Sequence, residues 1–169
     1  SSDVCSSDLW TLLMWVIIFP MNGWDWLWLG FGVMVGCQRA GRHMAERRAG
    51  RIVNVTSPAS RMGLPNYAAY AASKAGVISL VQTTAYSLSG TGVRINAVCP
   101  GLIETGMTKP IFDRAKERGT QDKIGQLNPL KRAGQPHELA AMGLFLASDD
   151  ASYVNGQAIP VDGGYSVQA

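Results

Sequence analysis

A chain of 169 residues, 47% hydrophobic and 16% charged, has enough apolar side chain for one sizeable core, which excludes a disordered polymer and suits a single α/β domain. Its 15 Lys and Arg against 12 Asp and Glu leave a formal net charge of +3, too small and too scattered to argue for nucleic acid. Cys5, Cys37 and Cys99 are odd in number and lack metal spacing, and His43 and His137 stand far apart, so the reading is a reducing cytoplasm and no metal.

In chain order, residues 1–32 differ from the rest of the chain. All five tryptophans (Trp10, Trp15, Trp24, Trp26, Trp28) fall there, and Ser-Ser-Asp occurs twice within the opening stretch. Asp3 to Leu9 is also what one reading frame of a common sequencing-library adapter encodes. Residues 1–32 are therefore set apart as an artefactual or divergent segment, and residues 33–169 are read as the domain. Leu9 to Met21 is apolar but short, and Asn22, Gly23 and Asp25 interrupt it before Trp26 to Cys37. Neither half reaches the roughly 20 residues that a spanning helix needs, and no basic stretch precedes them, so no membrane partner and no signal peptide are expected.

From Val33 the pattern becomes regular. Residues 33–46 read as an amphipathic helix, and the basic residues Arg39, Arg42, His43, Arg47, Arg48 and Arg51 as a solvated face around its end. Gly50 breaks to a β-branched run, residues 51–57, that reads as a buried parallel strand. A loop over 58–65 leads to a long helix over 66–89, stopped by Gly90. Residues 93–98 form the next strand, which Pro100-Gly101 turns out of. Residues 102–130 are irregular, of mixed charge, with short helices. Pro136 opens a helix at its favoured first position, running to Ala147. Asn155-Gly156 is a turn before a last strand over 157–161. The sum is α/β: three parallel strands with covering helices, the carboxyl-terminal half of a Rossmann-type doubly wound sheet.

Ser57, Tyr70 and Lys74 carry the chemistry. Tyr70 and Lys74 lie four apart in Tyr-Ala-Ala-Ser-Lys, so a helix places phenol and ammonium on one face. A nearby cation stabilises phenolate and lowers a tyrosine pKa towards neutrality. Ser57 closes a strand, and its carboxyl end is where open α/β sheets bind ligands.

This constellation resembles the short-chain dehydrogenase/reductase family, in which a strand-end Ser and Tyr-x-x-x-Lys reduce a carbonyl with NAD(P)H or run the reverse oxidation. The separation of Ser57 from Tyr70 matches the family's. Asn96-Ala97-Val98-Cys99-Pro100-Gly101-Leu102-Ile103-Glu104-Thr105 resembles its Pro-Gly-x-Ile-x-Thr segment beside the nicotinamide, and Asn155 to Gly164 resembles its last strand. The likeness runs from about Val33 to Tyr165. It is 3-oxoacyl-reductase-like, and similar also to sugar and ring-alcohol dehydrogenases.

The resemblance implies an NAD(P)-dependent oxidoreductase that interconverts a secondary alcohol and a carbonyl in a small-molecule substrate. Tyr70 would donate the proton, Lys74 would lower its pKa and bind the nicotinamide ribose, and Ser57 would hold the substrate oxygen. Tyr70, Lys74, Pro100, Gly101, Ile103 and Thr105 would hold NAD or NADP. Tyr67 competes with Tyr70, at the wider spacing of enoyl-reductase relatives, and is read as packing. Asn54 and Asp162 match scaffold positions. Ala59, Ser60, Met62, Leu64 and the 102–130 lid would shape the substrate pocket. Family members assemble as homo-oligomers, commonly tetramers, through the helices that correspond to residues 33–46 and 66–89.

Two departures stand against this pattern. The family's Gly-rich phosphate turn is missing, and Gly30-x-Gly32-x-x-x-Gly36 follows no convincing strand. Leu29 stands where the family places the Asn that holds a relay water. Without the amino-terminal half, the strand ending at Ser57 would be an exposed apolar edge, prone to aggregate. The alternative reading is a catalytically inactive fragment that acts at most as an oligomer-interface piece.

Overall fold

The computed structural model describes residues 23–167. Seven main elements run in order: α1 (Gly23–Glu46), β1 (Gly50–Val55), α2 (Ala68–Ser87), β2 (Val93–Pro100), α3 (Lys109–Glu117), α4 (Pro136–Ala147) and β3 (Ala158–Val161). The three strands form one sheet in the order β1-β2-β3. Both pairings are parallel, with Ile52 beside Ile95 and Ala97 beside Ala158.

β2 is the central strand, and its sequence shows why. Every residue from Val93 to Cys99 is buried, because helices cover both faces. On one face α1 and α2 meet the sheet through Cys37, Val77, Val81, Ile95 and Ala97. On the other, Val98 packs with Leu146 of α4 and with Ala151. Burial of Ile95 or Leu146 contributes about 1.5–3 kcal/mol each.

Two polar side chains of β2 are buried on the α4 side. Arg94 donates to the carbonyls of Leu146 (3.0 Å), Ser148 (2.6 Å) and Val154 (3.2 Å). Its charge therefore sits against the negative end of α4 and ties that end to the sheet. Asn96 Nδ2 donates to Val154 O at 2.9 Å, and Asn96 Oδ1 accepts from Gln157 N at 2.9 Å, which sets the entry into β3.

Boundaries follow local chemistry. Gly90 takes φ 73° where the chain leaves α2. Glu138 Oε2 accepts from Gln135 N at 2.8 Å, closing the first turn of α4 behind Pro136. Gly101 sits where a Cβ would lie 2.7 Å from Asp162 Cα, so only glycine lets the exit of β2 press against the end of β3.

Sequence and structure differ most at α1, which begins at Gly23 rather than near residue 33. Gly30, Gly32 and Gly36 all lie inside this helix, so they form no strand-turn-helix phosphate site. Packing of α1 on α2 outweighs their poor helix propensity: Val33 and Cys37 of α1 meet Val77 and Val81 of α2. Trp10, Trp15, Cys5 and the apolar run from Leu9 to Met21 lie outside the described residues. Among those described, no helix is long and apolar enough to cross a membrane.

Candidate active site

The site forms where β1 and β2 end and α2 begins. Thr56 N donates to Val98 O at 2.8 Å, and Thr56 Oγ1 donates to Lys74 O at 2.8 Å. One residue thus straps the strand end to the sheet and to α2. Ser57 comes next and opens the short turn Pro58–Ser60, where its Oγ accepts from Ala59 N at 3.3 Å. Ser60 Oγ donates to Ser57 O and closes the turn.

Ser57, Tyr70 and Lys74 come together. Ser57 and Lys74 are 9% and 7% exposed. The Tyr70 phenol is hydrogen-bonded with the Ser57 hydroxyl. Lys74, one helical turn on, places Nζ 5.8 Å from the Tyr70 ring centroid and donates to Val55 O at 3.3 Å.

The electrostatics correct one expectation. Burial pushes the Tyr70 phenol above its ordinary range, and the Ser57 hydrogen bond pulls against it without reversing it. Burial also pushes the Lys74 ammonium below the usual lysine range. Tyr67 departs from expectation too: it is the residue before α2, 56% exposed, and not a packing residue.

Pro100, Gly101, Ile103 and Thr105 share this carboxyl edge of the sheet. Gly101 N donates to Val161 O at 3.0 Å. Buried Ile103 bridges to Gly134, flanked by Glu104 N to Gly134 O and Gly134 N to Leu102 O, both 2.9 Å. Thr105 N donates to Thr108 Oγ1 at 2.9 Å. Ala59 is buried, while Ser60, Met62 and Leu64 are half-buried along the loop past Ser57. Asn54 and Asp162 do scaffold work. Asn54 hydrogen-bonds Cys37 Sγ, and Asp162 accepts from Gly164 N and Ser166 N at 2.9 Å each.

Sequence reasoning missed a cavity of about 240 Å³ beside the end of β3. Leu102, Ile103, Asn128, Leu130, Arg132 and Glu138 are among its walls. Arg132 grips Glu138 through two bonds of 2.7 and 2.6 Å, and with Gln135 N this lowers the Glu138 carboxyl to about 2. Nothing local in the sequence joins these residues; the bridge from Ile103 to Gly134 does.

A family model described as enoyl-(acyl carrier protein) reductase matches residues 30–166. The chain belongs to the short-chain dehydrogenase/reductase family. It is 46% identical over 133 residues to the 3-oxoacyl-[acyl-carrier-protein] reductase FabG of Thermotoga maritima, covering 79% of this chain and 52% of that protein. It is 41% identical over 135 residues to the 2-(R)-hydroxypropyl-CoM dehydrogenase of Xanthobacter autotrophicus, covering 80% and 53%. Among solved structures, levodione reductase matches with a TM-score of 0.75 and 39% identity over 82% of this chain and 55% of its own. The gluconate 5-dehydrogenase of Burkholderia cenocepacia, solved with NADP and tartrate, matches with a TM-score of 0.77 and 31% identity over 88% and 58%. The chain thus spans about half the length of the curated relatives it matches. These short-chain dehydrogenase/reductase relatives are oxidoreductases by name, and their sheets share the parallel α/β fold described above.

Proposed function

We infer that Ser57, Tyr70 and Lys74 form the proton-transfer centre of an NAD(P)-dependent oxidoreductase that interconverts a secondary alcohol and a carbonyl. The observation that carries this reading is the hydrogen bond between the Tyr70 phenol and Ser57 with Lys74 buried one turn away. In the reduction direction, Ser57 holds the substrate oxygen and Tyr70 gives it a proton. Raised above its ordinary range, the phenol is held in the protonated form that a donor requires at neutral pH.

The residues present fit the nicotinamide end of a dinucleotide. Lys74 gives one N–H to Val55 O, and an ammonium has three to offer, which suits a ribose hydroxyl. Thr105 lies on the same edge and suits the carboxamide. When bound, the cofactor supplies the hydride. Two solved relatives hold NADP or NADPH, which supports NAD or NADP as the class. The named substrates of the relatives range from 3-oxoacyl groups to levodione, so a ketone or secondary alcohol is the shared chemistry. Ser60, Met62 and Leu64 suggest a partly apolar pocket for it.

A homo-oligomer fits the exposed apolar surface. Trp28 and Phe31 on α1 are 69% and 51% exposed and stack edge to face. A cytoplasmic setting fits the buried, unpaired Cys37 and Cys99.

One observation favours a second reading. The glycines that could have made a phosphate turn lie inside α1. On that reading the chain is an inactive piece that acts at most at an oligomer interface. Titration with NADH and NADPH, followed by cofactor oxidation with a panel of ketones, separates the two. Binding with ketone-dependent oxidation supports the oxidoreductase, and absence of binding supports the inactive piece.

A further inference from the structure

We propose that Thr108 is a positioning residue that turns the Thr105 hydroxyl into a hydrogen-bond acceptor for the cofactor's amide. The protons in the segment after β2 can be counted one by one. Thr108 Oγ1 lies 2.5 Å from Ile103 O, 2.9 Å from Thr105 N, 3.2 Å from Thr105 O and 3.3 Å from Thr105 Oγ1. A threonine hydroxyl has one proton and two lone pairs.

Ile103 O takes that proton. It is the shorter contact, and among the described hydrogen bonds no other donor reaches this carbonyl, which belongs to a buried residue. Thr105 O has no such need, since Thr108 N and Lys109 N donate to it at 3.1 and 2.9 Å. The lone pairs of Thr108 Oγ1 then face Thr105. One accepts the Thr105 N–H, and the other accepts the Thr105 hydroxyl proton.

The result is a directed chain from Thr105 O–H through Thr108 O–H to Ile103 O. Thr105 Oγ1 keeps its lone pairs for whatever binds there. An acceptor of this kind suits the N–H of a carboxamide and disfavours a phosphate oxygen. Thr108 directly precedes α3, yet its side chain makes no capping bond to that helix. It is spent on Ile103 and Thr105 instead. Sequence reading could have noticed the Thr-x-x-Thr spacing of residues 105 and 108, but not the carbonyl that fixes the polarity.

The ligand half of this inference rests on the oxidoreductase reading, so the test separates the two. Dissociation constants are measured for NADH, NADPH and their 3-acetylpyridine analogues, in which a methyl group replaces the amide NH2. The native chain should prefer the amide by about tenfold, the loss of one good hydrogen bond. Thr108→Val should bring that ratio close to one, and Thr108→Ser should restore it. An unchanged ratio in Thr108→Val overturns the proposal. If the native chain binds neither cofactor, the oxidoreductase reading fails, and amide exchange in the ligand-free chain decides the positioning. Exchange of the Thr105 N–H should then quicken about tenfold in Thr108→Val and not in Thr108→Ser; equal rates overturn it.

Discussion

At Tyr70, burial and a hydrogen bond act in opposite senses on one proton. Burial raises the phenol and Ser57 lowers it, so Ser57→Ala should move its titration further up. Tyrosinate absorbance of that variant, against a Tyr70→Phe baseline, checks the direction. Proton donation is available below the Tyr70 pKa and fades as pH rises through it. Lys74 carries the opposite sign. Its folded pKa is depressed, so the buried ammonium costs stability at neutral pH, and the fold recovers stability only as pH rises towards the unfolded value of 10.5. Lys74→Met should therefore raise the neutral-pH Tm while removing activity, and a lower Tm would show that the ammonium stabilises the fold instead. These two residues were legible because helix spacing and a strand end are local patterns. Thr56 and Thr108 were not, since each acts on backbone groups that only the fold supplies.

At the scale of elements, the strands and the helix opened by Pro136 could be read directly, because apolar runs and capping signals mark them. The start of α1 could not: Asn22, Gly23 and Asp25 read as an interruption, while the packing of Val33 and Cys37 on α2 that supports the helix is tertiary. Two substitutions test what joins the elements. Arg94→Leu strips the donor from three carbonyls at the α4 end and before β3, at a cost of about 3 kcal/mol or more. Gly101→Ala forces a methyl against Asp162 and should cost about 1–3 kcal/mol. Urea midpoints measure both, and a change below about 0.5 kcal/mol in either would show that the contact is slack.

For the whole molecule, the sheet order places Ser57 at the end of β1, whose other edge pairs with no strand among the described residues. That open edge, the glycines inside α1 and a span of about half the length of its relatives leave the Ser57, Tyr70 and Lys74 cluster better defined among the described residues than any site for a dinucleotide's phosphates. The family could be read from the order of three short segments along the chain. The cavity beside β3 could not, because its walls meet only through tertiary contact. Everything proposed for the site turns on Tyr70 passing the proton. Ketone-dependent oxidation of NADH or NADPH, by the native chain and by Tyr70→Phe, tests that step without intermediaries. Turnover should fall by about a hundredfold or more with cofactor binding retained. Turnover that survives Tyr70→Phe unchanged would take the proton away from Tyr70.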